Sequence, residues 1–281
     1  MRIHYDSDYD VRQLQQRIYA NLVAFDAVCR EHDLRYYLWA GTMLGAVRHH
    51  GFIPWDDDND VAMPRPDYER LMAQWKEWMD APFEIIAPET DTAYPYPFAK
   101  VQDASTTVME RPDFSFLEGV YVDVFPIDGF PADSVEQRRH YRRWKLWRHL
   151  LFMRARNPFK HGYGPRSWFP LLIHLLLPMS FLQRRVKKYM TRYDYDHSDY
   201  VVAYDDNGID AIFPKWVLGD AQPYEFIDRS FPGVEHSHEY LTINFGDDYM
   251  QLPPVEKRVF HRFYHVDFNR PYREVEVKEL V

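Results

Sequence analysis

Four carboxylates fall within five consecutive positions of this chain, from Asp56 to Asp60. Asp56, Asp58 and Asp60 are two residues apart, so in an extended chain their side chains leave the same face and converge. Like charges this close raise one another's pKa unless a cation neutralises them. Carboxylate oxygens suit Mg²⁺, which proteins commonly hold together with a phosphate-bearing substrate. The segment therefore predicts an extended chain at a cation site used for phosphoryl or nucleotidyl chemistry.

The residues before this cluster predict a strand, a turn and a helix. A short run of β-forming residues at 36–40 stops at Gly41. Thr42 is then the expected N-cap of a helix that continues to His49. Because unpaired N–H groups point out of a helix N-terminus, Gly41 and Thr42 are candidates for binding a phosphate.

A further acidic candidate lies in the run 120–126, where Asp123 is surrounded by apolar β-forming residues. A carboxylate in such a strand is costly to bury unless it is paired or binds a metal. If this strand lies beside Asp58 and Asp60, Asp123 completes an acidic site; the alternative is that it caps a neighbouring turn. Asp128 is expected to be a turn residue.

Hydrophobic periodicity supplies the other elements. The predicted helices cover 8–31, 66–81 and 134–156. The predicted strands cover 36–40, 83–87, 98–101, 120–126 and 201–204. This mixture predicts an α/β (α+β) fold in which a mixed sheet is flanked by helices.

The charge of the chain is divided unevenly. No Asp or Glu occurs at 137–193, and these residues hold 15 of the 34 Lys and Arg, so the rest of the chain carries a formal −24. The apolar run 168–178 is too short to span a bilayer. We interpret the segment as a basic helical insertion that rests on an anionic membrane or a lipid-linked acceptor. The alternative is a helical hairpin packed on the core with its basic side solvated.

This division suggests three parts: a catalytic core at 1–133, the basic helical segment at 134–200, and residues 201–281, which complete the catalytic domain. The single Cys29 excludes an internal disulfide framework. The polar residues 1–8 lack the apolar region of a secretory signal. We therefore expect a cytoplasmic protein, with contact to the inner face of the membrane as an option, and no nucleic-acid partner.

A glycine-threonine corner, an Asp-x-Asp pair and a later Asp are the parts of a nucleotidyltransferase-type site. The sequence around them also resembles the LicD family, relatives of fukutin-related protein. The segments that carry the resemblance are 42–48, 51–58, 63–68, 98–101, 122–129, 213–215 and 246–258. It covers most of the chain, but 137–193 matches poorly.

The resemblance implies a nucleotidyltransferase-like fold and transfer of phosphocholine, or a related alcohol phosphate, from a CDP-linked donor such as CDP-choline. The implied acceptor is a hydroxyl of a cell-surface glycan such as teichoic acid or lipopolysaccharide, free or lipid-linked. The family's metal-binding carboxylates fall at Asp58, Asp60 and Asp123, with Asp56 as an outer member. The implied cofactor is Mg²⁺, with Mn²⁺ as the alternative. Asn59 departs from the aliphatic residue that the family more often has there.

Arg48 and Lys100 are candidates for contacts to the donor phosphates, because each is a cation next to a motif of the site. Arg48 could instead pair with the carboxylate cluster, and Lys100 could be an ordinary lysine at a strand end. A choline head group would require an aromatic wall. The aromatic candidates are Trp39, Trp55, Tyr94, Tyr96 and Tyr121.

Two other functions fit the same residues. One is a nucleotidyltransferase that makes an activated intermediate, and the other is a non-catalytic module that binds choline or glycans. The loop-rich, aromatic tail at 245–261 is a candidate to close over a substrate.

Overall fold

The computed structural model describes residues 9–114, 116–160, 162–204, 212–258 and 263–280. The predictions made for residues 1–8 and for the last part of the tail, 259–261, lie outside these ranges. Within them, the helices are α1 (Val11–Glu31), α2 (Ala40–His49), α3 (Arg65–Trp78), α4 (Ser134–Ala155), α5 (Trp168–Leu176), α6 (Met179–Met190), α7 (Ser237–Phe245) and α8 (Val277–Leu280).

The strands are β1 (Tyr37–Leu38), β2 (Asp60–Pro64), β3 (Phe83–Ile86), β4 (Ala99–Met109), β5 (Glu118–Phe130), β6 (Tyr200–Ala203), β7 (Ile212–Pro214), β8 (Gln222–Phe226), β9 (Arg229–Gly233) and β10 (His265–Asp267). Eight of them form one mixed sheet with the central order β1-β2-β5-β4-β10. β3 pairs with β4, β6 pairs with β5, and β7 pairs with β6, while β8 and β9 form a separate hairpin. This mixed sheet with flanking helices confirms the predicted fold class.

Helix α1 covers one face of the sheet, as its periodicity predicts. Its fully buried residues Leu14, Ile18, Leu22 and Phe25 recur every three or four positions and pack in the main core. Asp10 caps the helix by accepting a hydrogen bond from the backbone N–H of Arg12 at 2.9 Å. Helix α1 thus packs against strands β4 and β5.

Two local predictions are wrong. Helix α2 begins at Ala40 after Trp39, so Thr42 lies inside its first turn instead of capping it. Asp128 is not a turn residue, because β5 continues to Phe130 and buries it. Its carboxylate accepts hydrogen bonds of 2.7 and 2.6 Å from the Arg65 guanidinium, which form a bidentate pair. The local sequence does not predict this pair, because the two residues are 63 positions apart.

The basic segment folds as helices α4, α5 and α6, of which α4 and α6 build a second apolar core with the end of the sheet. The centre of this core includes Trp144, Leu151 and Leu182, all at most 1% exposed. Lys187 ties α6 to the first part of the chain through Glu69 and Glu89. In the ranges given above, none of the helices is long and apolar enough to cross a bilayer.

Candidate active site

A cleft of about 360 Å³ opens where β2, β4 and β5 meet the start of α2 and the side of α4. Five carboxylates line it: the four aspartates Asp56, Asp58, Asp60 and Asp123, and Glu110. The cleft thus brings together all the acidic residues that the sequence predicts as metal ligands.

Burial alternates along the acidic segment. Asp56, Asp58 and Asp60 are half-buried and line the cleft, whereas Asp57 and Asn59 are each 1% exposed. Asp57 does not line the cleft, and its Oδ2 accepts a hydrogen bond from the Tyr9 hydroxyl at 2.9 Å. An extended chain with a period of two explains the alternation. It also explains why four neighbouring acids supply only three carboxylates to the cleft.

Strand pairing brings Asp123 beside Asp60. β2 and β5 run parallel, and Asp60 is the direct partner of Asp123. The Asp123 N–H donates to the Asn59 carbonyl oxygen at 2.9 Å, which fixes this register at the first residue of the ladder. Asp123 therefore lies in the middle of a strand instead of capping a turn.

The carboxylate oxygens are dense enough to suit a hard cation. Asp56, Asp57 and Asp58 each offer an oxygen within 4.8 Å of the others, and Asp60 and Asp123 add two more at the same cleft. Oxygen-only donor sets of this kind fit Mg²⁺ or Mn²⁺ and do not fit zinc.

Gly41 and Thr42 have different positions. Gly41 lines the cleft, and a Cβ atom placed on it would lie 3.1 Å from Asp56 Oδ2. Thr42 is buried behind the cleft, where its hydroxyl accepts from the Asp60 N–H at 2.7 Å and donates to Asn59 Oδ1 at 3.3 Å. Thr42 thus holds the strand that carries the acids.

Lys100 is 1% exposed, so it is not an ordinary lysine at a strand end. Its Nζ lies 2.6 Å from Glu110 Oε1, 2.9 Å from Glu118 Oε1 and 3.8 Å from Asp123 Oδ1. The same nitrogen sits 3.3 Å from the centre of the Tyr121 ring. The ammonium is the counter-charge of a buried acidic cluster under the cleft.

The pKa values of the two glutamates of that cluster are shifted in opposite directions. Burial raises the pKa of Glu118 to about 8, against the Lys100 charge, and Glu118 Oε2 has no hydrogen-bond partner among the described residues. Burial also opposes the ionisation of Glu110, but Lys100 and the hydroxyls of Tyr121 and Tyr96 lower its pKa to about 2. Lys100 is therefore paired mainly with the ionised Glu110.

Arg48 lies outside the set of described residues that line the cleft. Its guanidinium donates to the carbonyl oxygens of Tyr249, at 2.6 Å, and Gln251, at 3.3 Å. Burial lowers its pKa, and the nearby Asp56 carboxylate opposes that shift. The arginine thus joins the end of α2 to the loop that follows α7.

Aromatic residues form much of the remaining wall. Of the predicted ones, Tyr96 and Tyr121 line the cleft. Trp39 and Tyr94 are buried in the interior, and Trp55 lies under the Arg258 guanidinium at 4.2 Å. The aromatic lining that the sequence reading missed is Phe98, Phe125, Phe152 and Phe245.

Arg148 is the most consequential residue that the sequence reading missed. It comes from α4, within the acid-free segment, and reaches the cleft with its guanidinium carbon 4.5 Å from the centre of the Phe152 ring. One signal was available, since Arg148 and Phe152 are four residues apart on a predicted helix and so share a face. The basic segment therefore contributes directly to the acidic site.

Comparison with known proteins shows the family of this chain. The family model described as "LicD/FKTN/FKRP, nucleotidyltransferase domain" matches residues 33–161. The chain is also 30% identical over 255 residues to the lipopolysaccharide cholinephosphotransferase LicD of Haemophilus influenzae, covering 88% of this chain and 94% of that protein. The chain belongs to the LicD family.

The chain also has shorter matches to two uncharacterised proteins. They are 38% identical in Rickettsia typhi and 46% identical in Rickettsia prowazekii, each over 50 residues or 17% of this chain. The family match runs through the four cleft aspartates, Lys100 and Arg148. It therefore extends into the segment 137–193, where the motifs alone showed little resemblance.

Proposed function

We propose that this chain transfers phosphocholine from CDP-choline to a hydroxyl of a cell-surface glycan of the lipopolysaccharide type. The observation that carries the proposal is the cleft lined by four aspartates, in a chain that aligns over 88% of its length with a lipopolysaccharide cholinephosphotransferase. Teichoic acid, the other acceptor that the motifs imply, has the same kind of hydroxyl and enters the test as an alternative acceptor.

In this proposal Asp58, Asp60 and Asp123 hold Mg²⁺ or Mn²⁺, and Asp56 is an outer member of the set. A bound ion would neutralise the negative charge of the donor diphosphate. We leave Asp57 out of the set because it does not line the cleft and its Oδ2 accepts from the Tyr9 hydroxyl, although a carboxylate oxygen of Asp57 lies within 4.8 Å of those of Asp56 and Asp58. Thr42 contributes by fixing the Asp60 backbone through its hydroxyl.

Arg148 takes the role of phosphate contact that the sequence analysis gave to Arg48 and Lys100. Its guanidinium is at the cleft and suits a bidentate contact with phosphate oxygens. Lys100 is already held by three carboxylates, so its role is to keep Glu110 and Asp123 in place. Arg48 acts at a distance by holding the neighbouring loop.

The reaction forms a bond between the acceptor oxygen and the phosphorus that carries choline, and it breaks the diphosphate so that CMP leaves. The acceptor proton passes to a cleft carboxylate, and we assign this role to Asp56, which is half-buried and stands outside the main metal-binding set. The trimethylammonium group of choline fits the aromatic side of the cleft, where Phe98, Phe125 and Phe152 lie near Glu110.

The test is CMP release from CDP-choline with Mg²⁺ and a lipopolysaccharide acceptor, using wild type, Asp58→Asn and Asp57→Asn. We expect Asp58→Asn to lose at least ~100-fold of turnover, as for other lost electrostatic contacts at a reacting phosphate. Asp57→Asn is the matched control, because Asp57 is buried outside the cleft lining and its amide oxygen can still accept from the Tyr9 hydroxyl. Equal losses in both variants would refute the assignment of the cleft acids.

Separate labels on choline and on cytidine distinguish the rival functions. Label from choline in the glycan supports the proposal, whereas label from cytidine in the glycan indicates nucleotidyl transfer. Ligand binding that survives chelation, without any CMP, indicates a binding module.

A further inference from the structure

Helix α5 exposes one apolar face to solvent. Its exposed residues are Trp168 (67%), Phe169 (55%), Leu172 (48%), Leu175 (74%) and Leu176 (64%). Their spacing places them on a single side of the helix. A contiguous apolar patch built from five large side chains is unusual on a soluble surface and marks an interaction site.

The opposite side of α5 is fixed to the protein. Ile173 is buried there, and the ring nitrogen His174 Nε2 lies 2.9 Å from the Arg156 carbonyl oxygen. The Arg154 guanidinium donates to the Leu177 carbonyl oxygen at 3.2 Å, just beyond the last turn. These contacts attach α5 to the end of α4, so its apolar face points outward in a defined direction.

The segment that carries this face is basic. The acid-free segment 137–193 that contains α5 exposes Arg142, Arg143, Lys145, Arg166, Arg184 and Lys188. Each Lys or Arg near an anionic bilayer contributes about 1 kcal/mol of attraction. Tryptophan, phenylalanine and leucine on one face, with Lys and Arg around them, are typical of a helix that lies in a membrane interface.

We propose that α5 lies in the interface of a bilayer rich in anionic lipid, with its apolar face among the acyl chains. The membrane contact would lie close to the cleft along the chain. Arg154 and Arg156 bind α5, and Phe152 lines the cleft only one helical turn earlier. If the proposed function holds, the contact brings the cleft to a lipid-linked glycan, but lipid binding itself does not depend on that function.

The test is co-sedimentation of the full chain with vesicles, without donor or metal. One vesicle type is phosphatidylcholine alone, and the other contains phosphatidylglycerol as well. We expect binding to the anionic vesicles that weakens at high salt, and about tenfold or greater weakening in Leu175→Glu, the loss of one buried leucine. Ile227→Glu is the matched control, because Ile227 is 56% exposed and lies outside the segment.

Equal binding to both vesicle types, or unchanged binding of Leu175→Glu, would overturn the proposal. A wild-type dimer in solution that Leu175→Glu converts to a monomer would also overturn it, because a second copy would then cover the face. The rate of CMP release with a soluble acceptor tests the proposed function independently of lipid binding. We expect Leu175→Glu to release CMP at the wild-type rate in this assay.

Discussion

Replacing Glu118 with glutamine should stabilise the protein at high pH. Glu118 is 2% exposed, and its pKa is raised from 4.5 to about 8, first because of its burial. Below pH 4.5 the folded and the unfolded chain both keep this proton. As the pH rises from 4.5 to 8, the unfolded chain loses the proton while the folded chain keeps it, so the free energy of unfolding falls.

The size of this effect follows from the shift. One pKa unit corresponds to about 1.4 kcal/mol, so the wild type loses up to about 5 kcal/mol between these pH values. Glu118→Gln has no proton to lose, and its amide oxygen can still accept from Lys100 in the place of Glu118 Oε1. We therefore expect a stability difference that grows with pH and becomes constant above pH 8.

The assay is urea unfolding of both proteins at several pH values between 5 and 9, compared at each pH. Glu110→Gln is the control with the opposite sign, since the pKa of Glu110 is lowered to about 2. Glu110→Gln should lower the free energy of unfolding by up to about 3 kcal/mol at neutral pH, and this loss should disappear as the pH falls from 4.5 to 2. A pH-independent difference for Glu118→Gln would refute the reasoning.

Two further substitutions test the cleft and its support. Gly41→Ala places a Cβ atom 3.1 Å from Asp56 Oδ2. We expect the rate of CMP release to fall about tenfold because the Asp56 carboxylate is displaced. The free energy of unfolding should stay equal or rise by about 1 kcal/mol, because alanine favours a helix more than glycine does. Asp128→Asn leaves the Arg65 guanidinium with the longer, 3.4 Å contact to the Glu69 carboxylate as its charge pairing, and urea unfolding should show a loss of about 3 kcal/mol.

The acidic wall of the cleft was predictable because it depends on a local rule. An extended chain alternates its faces, so the spacing of Asp56, Asp58 and Asp60 was enough to place them together. Helix α1 was predictable for the same kind of reason, since its apolar period of three to four residues is read directly from the chain.

The rest of the site depends on contacts between distant segments. Arg65 and Asp128 are 63 positions apart, and Lys100 meets Glu118 across a strand pair. Nothing in the local pattern around Asp128 distinguishes a buried ion-pair partner from a turn residue. Arg148 enters the cleft because α4 packs against the sheet, which is a property of the whole fold and not of any short motif.

The alternation of the acidic segment makes the cleft sensitive to chain length. The Thr42 hydroxyl contacts the Asp60 N–H and Asn59 Oδ1, so it anchors the segment at one position. Deletion of Asp58 would move each residue before this anchor by one position, so Asp57 would take the place of Asp58 at the cleft and Asp56 would take the buried place of Asp57. The site therefore requires a fixed number of residues between Asp56 and the Thr42 contact.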